Sequence, residues 1–139
     1  MSKFSAKEIE YLASQRLGRL ATVNGKGDLH VVPVGFRYNP DEDTIDIGGH
    51  GLLTSRKYRE ALRHGRVAFV VDDVLPPWQP RMVEVRGAVH AVPHGGKAIN
   101  ANMPPEILRL TPTYIVALGV DDDMVRPREG KVNFHGRKV

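Results

Sequence analysis

Short runs of β-branched and aromatic residues, separated by turn-forming residues, set the main limit on how this chain can fold. Residues 18–23 and 29–38 flank the pair Asn24-Gly25, which tolerates the positive φ of a tight hairpin turn. A second turn at residues 39–43 leads to an alternating run at residues 44–48. The first third of the chain is therefore predicted to be a three-strand meander.

Three further runs with strand character occupy the second half of the chain, at residues 66–72, 82–92 and 114–120. The proline-rich stretch at residues 73–80 is expected to be an irregular connection. About six strands, short turns and no βαβ repeat predict a mainly β protein built as a closed or split antiparallel barrel.

A few short helices are expected beside the strands. Residues 5–15 carry an S-x-x-E capping arrangement made by Ser5 and Glu8. A second helix should begin after Thr54 or Ser55 and run to about His64, and a short third helix is expected at residues 104–109. The tail beyond Asp123 shows no clear periodicity.

Length and composition predict a single domain over residues 1–139 that needs a cofactor for redox chemistry. The chain has no cysteine, which excludes disulfides, thiolate metal sites and thiol catalysis. Apolar runs such as residues 67–71 are far shorter than the roughly 20 residues of a membrane span. The N-terminus lacks the apolar segment of a secretory signal, so a cytoplasmic protein without a membrane partner is expected.

Several classes of site are not supported by the sequence. Neither a P-loop, a Rossmann glycine pattern nor a G-x-S-x-G elbow is present, and no catalytic side chain is assigned. His90 and His94 would lie about 13 Å apart on a strand, and Pro93 forbids the helix that would bring them together. No metal site is therefore expected.

The stretch TSRKYR at residues 54–59 is the strongest local signal for a ligand. It places hydroxyls and cations at a helix start, where backbone N–H groups and the helix dipole favour an anion such as phosphate. The alternative is that these are solvated surface charges. A net charge of +4 also fits a nucleic-acid partner, but no strand shows the interleaved aromatic and basic face of a stacking platform, so none is expected.

An ordered set of segments resembles the pyridoxamine 5′-phosphate oxidase-like superfamily, and more narrowly its deazaflavin-dependent branch. The segments are GRLATV at 18–23, HVVPVGF at 30–36, SRK at 55–57, RVAFVVDD at 66–73, EVRGA at 84–88 and YIVALG at 114–119. The resemblance implies a six-stranded split β-barrel that forms a homodimer, with two cofactor clefts at the subunit boundary. It also implies binding of coenzyme F420 or FMN.

The resemblance further implies which residues contact the cofactor. Lys57, Ser55 and Arg56 would hold its phosphate, and the backbone of Val32, Pro33 and Val34 would line the ring. Four more residues are carried over with less direct roles: His50 and Thr54 beside the phosphate, and Trp78 and Arg81 near the cleft, contributed either by the same chain or by the other subunit. GGHG at residues 48–51 departs from the small hydroxyl residues that many relatives carry there.

The implied function is an F420-dependent oxidoreductase that transfers hydride between the reduced cofactor and a small conjugated organic substrate. One alternative is an FMN-binding oxidoreductase of the pyridoxamine 5′-phosphate oxidase type. Another is a non-catalytic carrier of flavin or F420.

Overall fold

The computed structural model describes residues 1–49, 51, 54–121 and 134–139, with only the backbone described for Lys57. None of the helices in these ranges has the length and apolar character needed to cross a membrane. The elements in chain order are α1 (Ala6–Ala13), β1 (Leu17–Val23), β2 (Leu29–Asn39), β3 (Thr44–Gly48), α2 (Arg56–His64), β4 (Arg66–Leu75), β5 (Gln79–Val92), α3 (Gly96–Ile99), β6 (Ile107–Leu118) and β7 (His135–Lys138).

The strands form one antiparallel sheet in the order β3-β2-β1-β4-β5-β6-β7. An additional antiparallel pairing joins β3 to β6, with Ile45 opposite Leu110 and Ile47 opposite Leu108. That pairing closes β1 to β6 into a six-stranded barrel, and β7 extends the sheet beyond β6. The prediction of a mainly β antiparallel barrel with few short helices is confirmed.

The barrel interior is filled by every second residue of its strands, as the period-2 alternation of β structure requires. On β4 the side chains of Val67, Phe69 and Val71 are buried, while their neighbours are not. Phe69 packs edge to face against Phe36 of β2, with ring centroids 5.3 Å apart.

A buried ion pair sits where β3 and β6 close the barrel. The Asp46 side chain is fully buried, and Arg109 donates to it through Nε to Oδ1 at 2.9 Å and Nη2 to Oδ2 at 3.2 Å. Asn39 and Thr44 supply further donors at 2.9 and 3.1 Å. Burial opposes ionisation of Asp46, but these hydrogen bonds and the guanidinium charge lower its pKa overall. Both oxygens of the Asp46 carboxylate thus accept hydrogen bonds where β3 meets β6.

Both longer helices begin where the sequence indicates. Ser5 and Glu8 form the complete capping box of α1. Ser55, not Thr54, caps α2, and its hydroxyl accepts a hydrogen bond from the Tyr58 N–H at 3.2 Å. The helix ends at Gly65, whose φ of 84° is the left-handed conformation that glycine adopts without strain.

Three local predictions are wrong. Residues 73–80 are not an irregular connection, because β4 and β5 continue into this stretch and pair through Leu75 and Gln79, with prolines only at the tip and edge. No helix forms over residues 104–109, since two prolines precede an alternating run that starts β6 at Ile107. The last long strand therefore begins earlier than residue 114. The tail, for which the sequence predicts no element, contains β7, which pairs with β6.

Candidate functional site

The turn that leads into α2 is shaped by backbone and hydroxyl groups. The Thr54 hydroxyl and its N–H both donate to the Gly51 carbonyl, each at 3.1 Å. Ser55 follows in an extended conformation and caps the helix. Because the first N–H groups of a helix have no intrahelical partner, this end of α2 offers backbone donors to an anion.

The exposed face of α2 forms one wall of a cleft with a volume of about 810 Å³. Arg56, Arg59 and Arg63 lie on this wall, spaced at one or two helical turns. The facing wall is the β1–β2 turn, residues 24–28, contributing Lys26. The sequence predicts a role for the cations of the helix but not for the turn, because a hairpin motif does not indicate which other element will pack against it.

The three β2 residues expected to line the cofactor ring differ in orientation. Val34 is buried and Val32 half-buried, and both belong to the apolar packing of the barrel. Pro33 is exposed and lies opposite Arg19 of β1. Since the side chains of Val32 and Val34 are used in packing, contact with a ligand outside the barrel would be made through backbone or through Pro33.

Trp78 and Arg81 lie at the other end of the barrel from α2 in the same chain. The helix ends just before β4 begins, whereas Trp78 is at the tip that follows the end of β4. Its side chain is 76% exposed. The structure therefore does not bring Trp78 and Arg81 together with the helix start within one chain.

Arg81 is engaged in a local network. Its Nε and Nη2 donate to the two carboxylate oxygens of Asp73, at 2.9 and 2.6 Å, and its guanidinium lies over the Tyr11 ring. The hydrogen bond from Arg81 lowers the pKa of Asp73. Burial raises the pKa of Tyr11, and the hydrogen bond from its hydroxyl to Asp73 at 2.9 Å adds to the shift. The phenol therefore stays protonated.

Two of the residues expected to contact the cofactor, His50 and Lys57, have side chains that lie outside the described part of the structure. His50 lies outside the described residues. Lys57 is the second residue of α2, next to Arg56, and its side chain also lies outside them.

The outer face of the sheet exposes apolar side chains to an unusual extent. Leu29, Val31 and Leu17 are 81%, 69% and 54% exposed. Beside them is a shallow depression of about 310 Å³, lined mainly by apolar residues of β1, β2, β4 and β5: Ala21, Val31, Ala68, Val70 and Met82. Patches of this kind commonly mark an interaction surface.

Comparison with known proteins places the chain among enzymes and cofactor-binding proteins. No protein-family model matches it. It is 42% identical over 123 residues to a 5a,11a-dehydrotetracycline/5a,11a-dehydrooxytetracycline reductase of Streptomyces rimosus, covering 87% of each chain.

Two solved structures have the same fold. The FAD binding protein of Mycobacterium smegmatis is 26% identical, with a TM-score of 0.62 over 84% of this chain and 96% of that one. A candidate pyridoxamine 5′-phosphate oxidase of Corynebacterium glutamicum is 20% identical, with a TM-score of 0.57 over 82% and 88%, a likeness of fold alone.

The six-stranded barrel and the extent of identity to the Streptomyces reductase lead to one conclusion. The chain belongs to the same family as that reductase and is an oxidoreductase, and it shares its split-barrel fold with the FAD binding protein and the candidate pyridoxamine 5′-phosphate oxidase.

Proposed function

We propose that this protein uses reduced coenzyme F420 to reduce a carbon–carbon double bond conjugated to a carbonyl group in a small organic substrate. The observation that carries the proposal is the 42% identity, over 87% of both chains, to a reductase of a dehydrotetracycline. The basic cleft beside the start of α2 supports it, because it offers an anion site on the fold of that family.

The donors around the helix start suit a cofactor phosphate. Thr54 and Ser55 bring hydroxyl groups to the first turn of α2, and Arg56 presents an exposed guanidinium there. A cation such as Arg56 in the first turn interacts unfavourably with the helix dipole and destabilises the helix by about 0.3 kcal/mol. An anion bound beside it would offset this cost. In this proposal Lys57, Ser55 and Arg56 hold the phosphate, with Thr54 and His50 beside it.

The protein's part in the reaction is to bind, position and shield. When bound, the reduced deazaflavin supplies a hydride that, with a proton from solvent, saturates one double bond of the substrate. The backbone of Val32, Pro33 and Val34 would lie against the ring, and the stiffness of a paired strand would fix its position relative to the substrate.

A second copy of the chain would complete the cleft. The exposed apolar face around Val31 supports association through the sheet. Trp78 and Arg81 are remote from α2 in their own chain, so only another copy could bring them to the phosphate end. We therefore include a homodimer with two shared clefts in the proposal.

The test is a fluorescence titration of the purified protein with F420 and with FMN at moderate salt. We expect F420 to bind at micromolar concentration or tighter, and Lys57→Ala to weaken it at least about tenfold, as for loss of one charge-assisted hydrogen bond. The control is Lys3→Ala, which removes an exposed lysine at the N-terminus. Preference for FMN would instead support the flavin oxidoreductase, and equal binding by Lys57→Ala and Lys3→Ala would refute the phosphate site.

A further inference from the structure

The connection between β5 and β6, residues 93–106, folds into a compact loop. The Gly96 N–H donates to the Pro105 carbonyl at 2.9 Å, which joins the two ends of this β5–β6 loop. Inside it, the Asn100 N–H donates to the Gly96 carbonyl at 3.2 Å, and the Met103 N–H donates to the Asn100 carbonyl at 3.0 Å. Compact loops whose ends lie close together are frequently functional. These bonds fix the positions from which the loop presents its side chains.

The loop packs on two glycines of neighbouring strands. Gly35 of β2 and Gly48 of β3 lie opposite each other in the sheet. A Cβ atom at Gly35 would lie 2.5 Å from Met103 Cε, and one at Gly48 would lie 2.9 Å from Ile99 Cδ1. Glycine within a strand often marks a close approach of this kind. The two glycines therefore let the side chains of Met103 and Ile99 lie directly on the strand backbone.

This contact is on the outer face of β2, next to the position proposed for the cofactor ring. Val34 and Phe36 belong to the core, so Pro33 and Gly35, which alternate with them, point away from the barrel interior. Pro33 and Gly35 are about 6.6 Å apart along the strand. A ring that lies against the backbone of residues 32–34 therefore has the β5–β6 loop as its neighbour on the same face.

The two loop side chains offer this neighbour an apolar surface. Ile99 and Met103 are each half-buried, so part of each side chain covers a glycine and part remains accessible. The thioether of methionine is flexible and polarizable, fits irregular apolar surfaces and makes favourable contacts with aromatic rings. A phosphate group would lose hydration against such a surface without gaining a partner. The surface therefore suits a flat conjugated ring system.

We propose that Met103 and Ile99 form the apolar wall of the substrate site and determine which conjugated ketones fit beside the cofactor. The substrate class is a flat conjugated ring system that presents an apolar edge to the Met103 thioether. The inference rests on the proposed function in placing the cofactor ring against the backbone of residues 32–34.

The first experiment measures whether ligands lie next to Met103. Methionine methyl groups are labelled with carbon-13 and followed by NMR, because an aromatic ring beside a methyl group changes its chemical shift. The chain has four methionines, and the signal that disappears in Met103→Leu is that of Met103. The exposed Met1 is the internal control. Spectra are recorded with F420, with FMN, with the probe 5a,11a-dehydrotetracycline, and with cofactor and probe together, while fluorescence measures cofactor binding separately.

We expect the bound cofactor to shift the Met103 signal more than that of Met1, and the probe to shift it again. A Met103 signal that neither a bound cofactor nor the probe moves would overturn the inference and leave the cofactor assignment standing. A Met103 signal that the probe shifts in a protein that binds neither F420 nor FMN would support the wall and refute the proposed cofactor. If neither cofactor binds and the probe shifts nothing, both proposals are overturned.

The second experiment measures selection between substrates of different size. It compares kcat/KM for the polycyclic probe with that for cyclohexenone, whose single ring is too small to reach from the cofactor to the wall. Met103→Ala should lower this ratio by about tenfold, with F420 affinity unchanged. The control is Asn102→Ala, since Asn102 is exposed and adjacent in the loop. Equal ratios in the two variants would overturn the role in specificity.

A substitution in the glycine floor tests the same contact from the other side. Gly35→Ala places a methyl group where the tip of Met103 lies, so the flexible thioether must move. We expect Gly35→Ala to shift the Met103 methyl signal and to change the probe ratio. The change in ratio should be smaller when Gly35→Ala is added to Met103→Ala, because the displaced group is then absent. Circular dichroism verifies that each variant is folded, and additive effects in the folded double variant would contradict the inference.

Discussion

The ion pair that closes the barrel allows a sharp test of how the fold holds the site. Asp46 lies on β3, whose end leads through residues 49–55 to the start of α2. Arg109→Leu removes the guanidinium and leaves the buried carboxylate with the Asn39 and Thr44 donors only.

Loss of one member of a buried ion pair costs about 3–5 kcal/mol, because the other charge stays buried without compensation. We expect about 3 kcal/mol, since two donors to Asp46 remain. For a urea m-value of about 2 kcal/mol/M, the unfolding midpoint should fall by about 1.5 M. The assay is urea unfolding followed by circular dichroism at a fixed protein concentration.

The cause is tested by pH and by a second substitution. Without Arg109, burial should raise the folded-state pKa of Asp46 above its unfolded value, so the lost stability returns as pH falls from 7 to 5. Adding Asp46→Asn removes the unpaired charge and should recover about 1 kcal/mol or more. The reasoning would be refuted if Arg109→Leu lowered the free energy of unfolding by less than about 1 kcal/mol, a value typical of surface ion pairs. It would also be refuted if the double variant were less stable than Arg109→Leu.

Three further predictions concern the helix cap, acid stability and association. Ser5→Ala should lower the free energy of unfolding by about 1 kcal/mol by removing the capping-box acceptor of α1, as read from urea unfolding; no change would mean that the cap is dispensable. The hydrogen bond from Arg81 lowers the pKa of Asp73. Burial opposes ionisation of Asp46, but its hydrogen-bond donors, including Arg109, lower its pKa overall. Both ionised carboxylates therefore stabilise the folded protein above about pH 4. Wild-type stability should therefore decline as pH falls below about 4, and a constant urea midpoint down to pH 3 would contradict this. Val31→Lys should turn a dimer into a monomer in light scattering, whereas Ala13→Lys at the end of α1 should not; a wild-type monomer would remove the shared-cleft proposal.

Much of the fold could be predicted because local signals agree with the final structure. The Asn24-Gly25 turn, the alternation of β3 and the Ser5 cap each depend on neighbours in sequence. The extension of β4 and β5 was missed because prolines usually end strands, and here they occupy a hairpin tip. The early start of β6 was missed because apolar residues at 107, 108 and 110 also suit a helix.

The candidate site could be predicted only in part. The hydroxyls and cations at residues 54–57 form a continuous motif, so the helix start was found from sequence. The β1–β2 turn that faces it, and the packing of Gly25 against Arg63, depend on how distant segments meet. The ion pair between Asp46 and Arg109 likewise joins residues 63 positions apart in the sequence, and neither residue by itself indicates its partner.

The most direct test of the central claim is anaerobic mixing of the protein with reduced F420 and 5a,11a-dehydrotetracycline as a probe substrate. Absorbance would follow oxidation of the cofactor, and mass spectrometry would follow the product. We predict that one equivalent of cofactor is oxidised for each substrate gaining two hydrogens, with no turnover when reduced FMN replaces F420. Tight F420 binding without oxidation by this or other conjugated ketones, or turnover with FMN alone, would contradict the account.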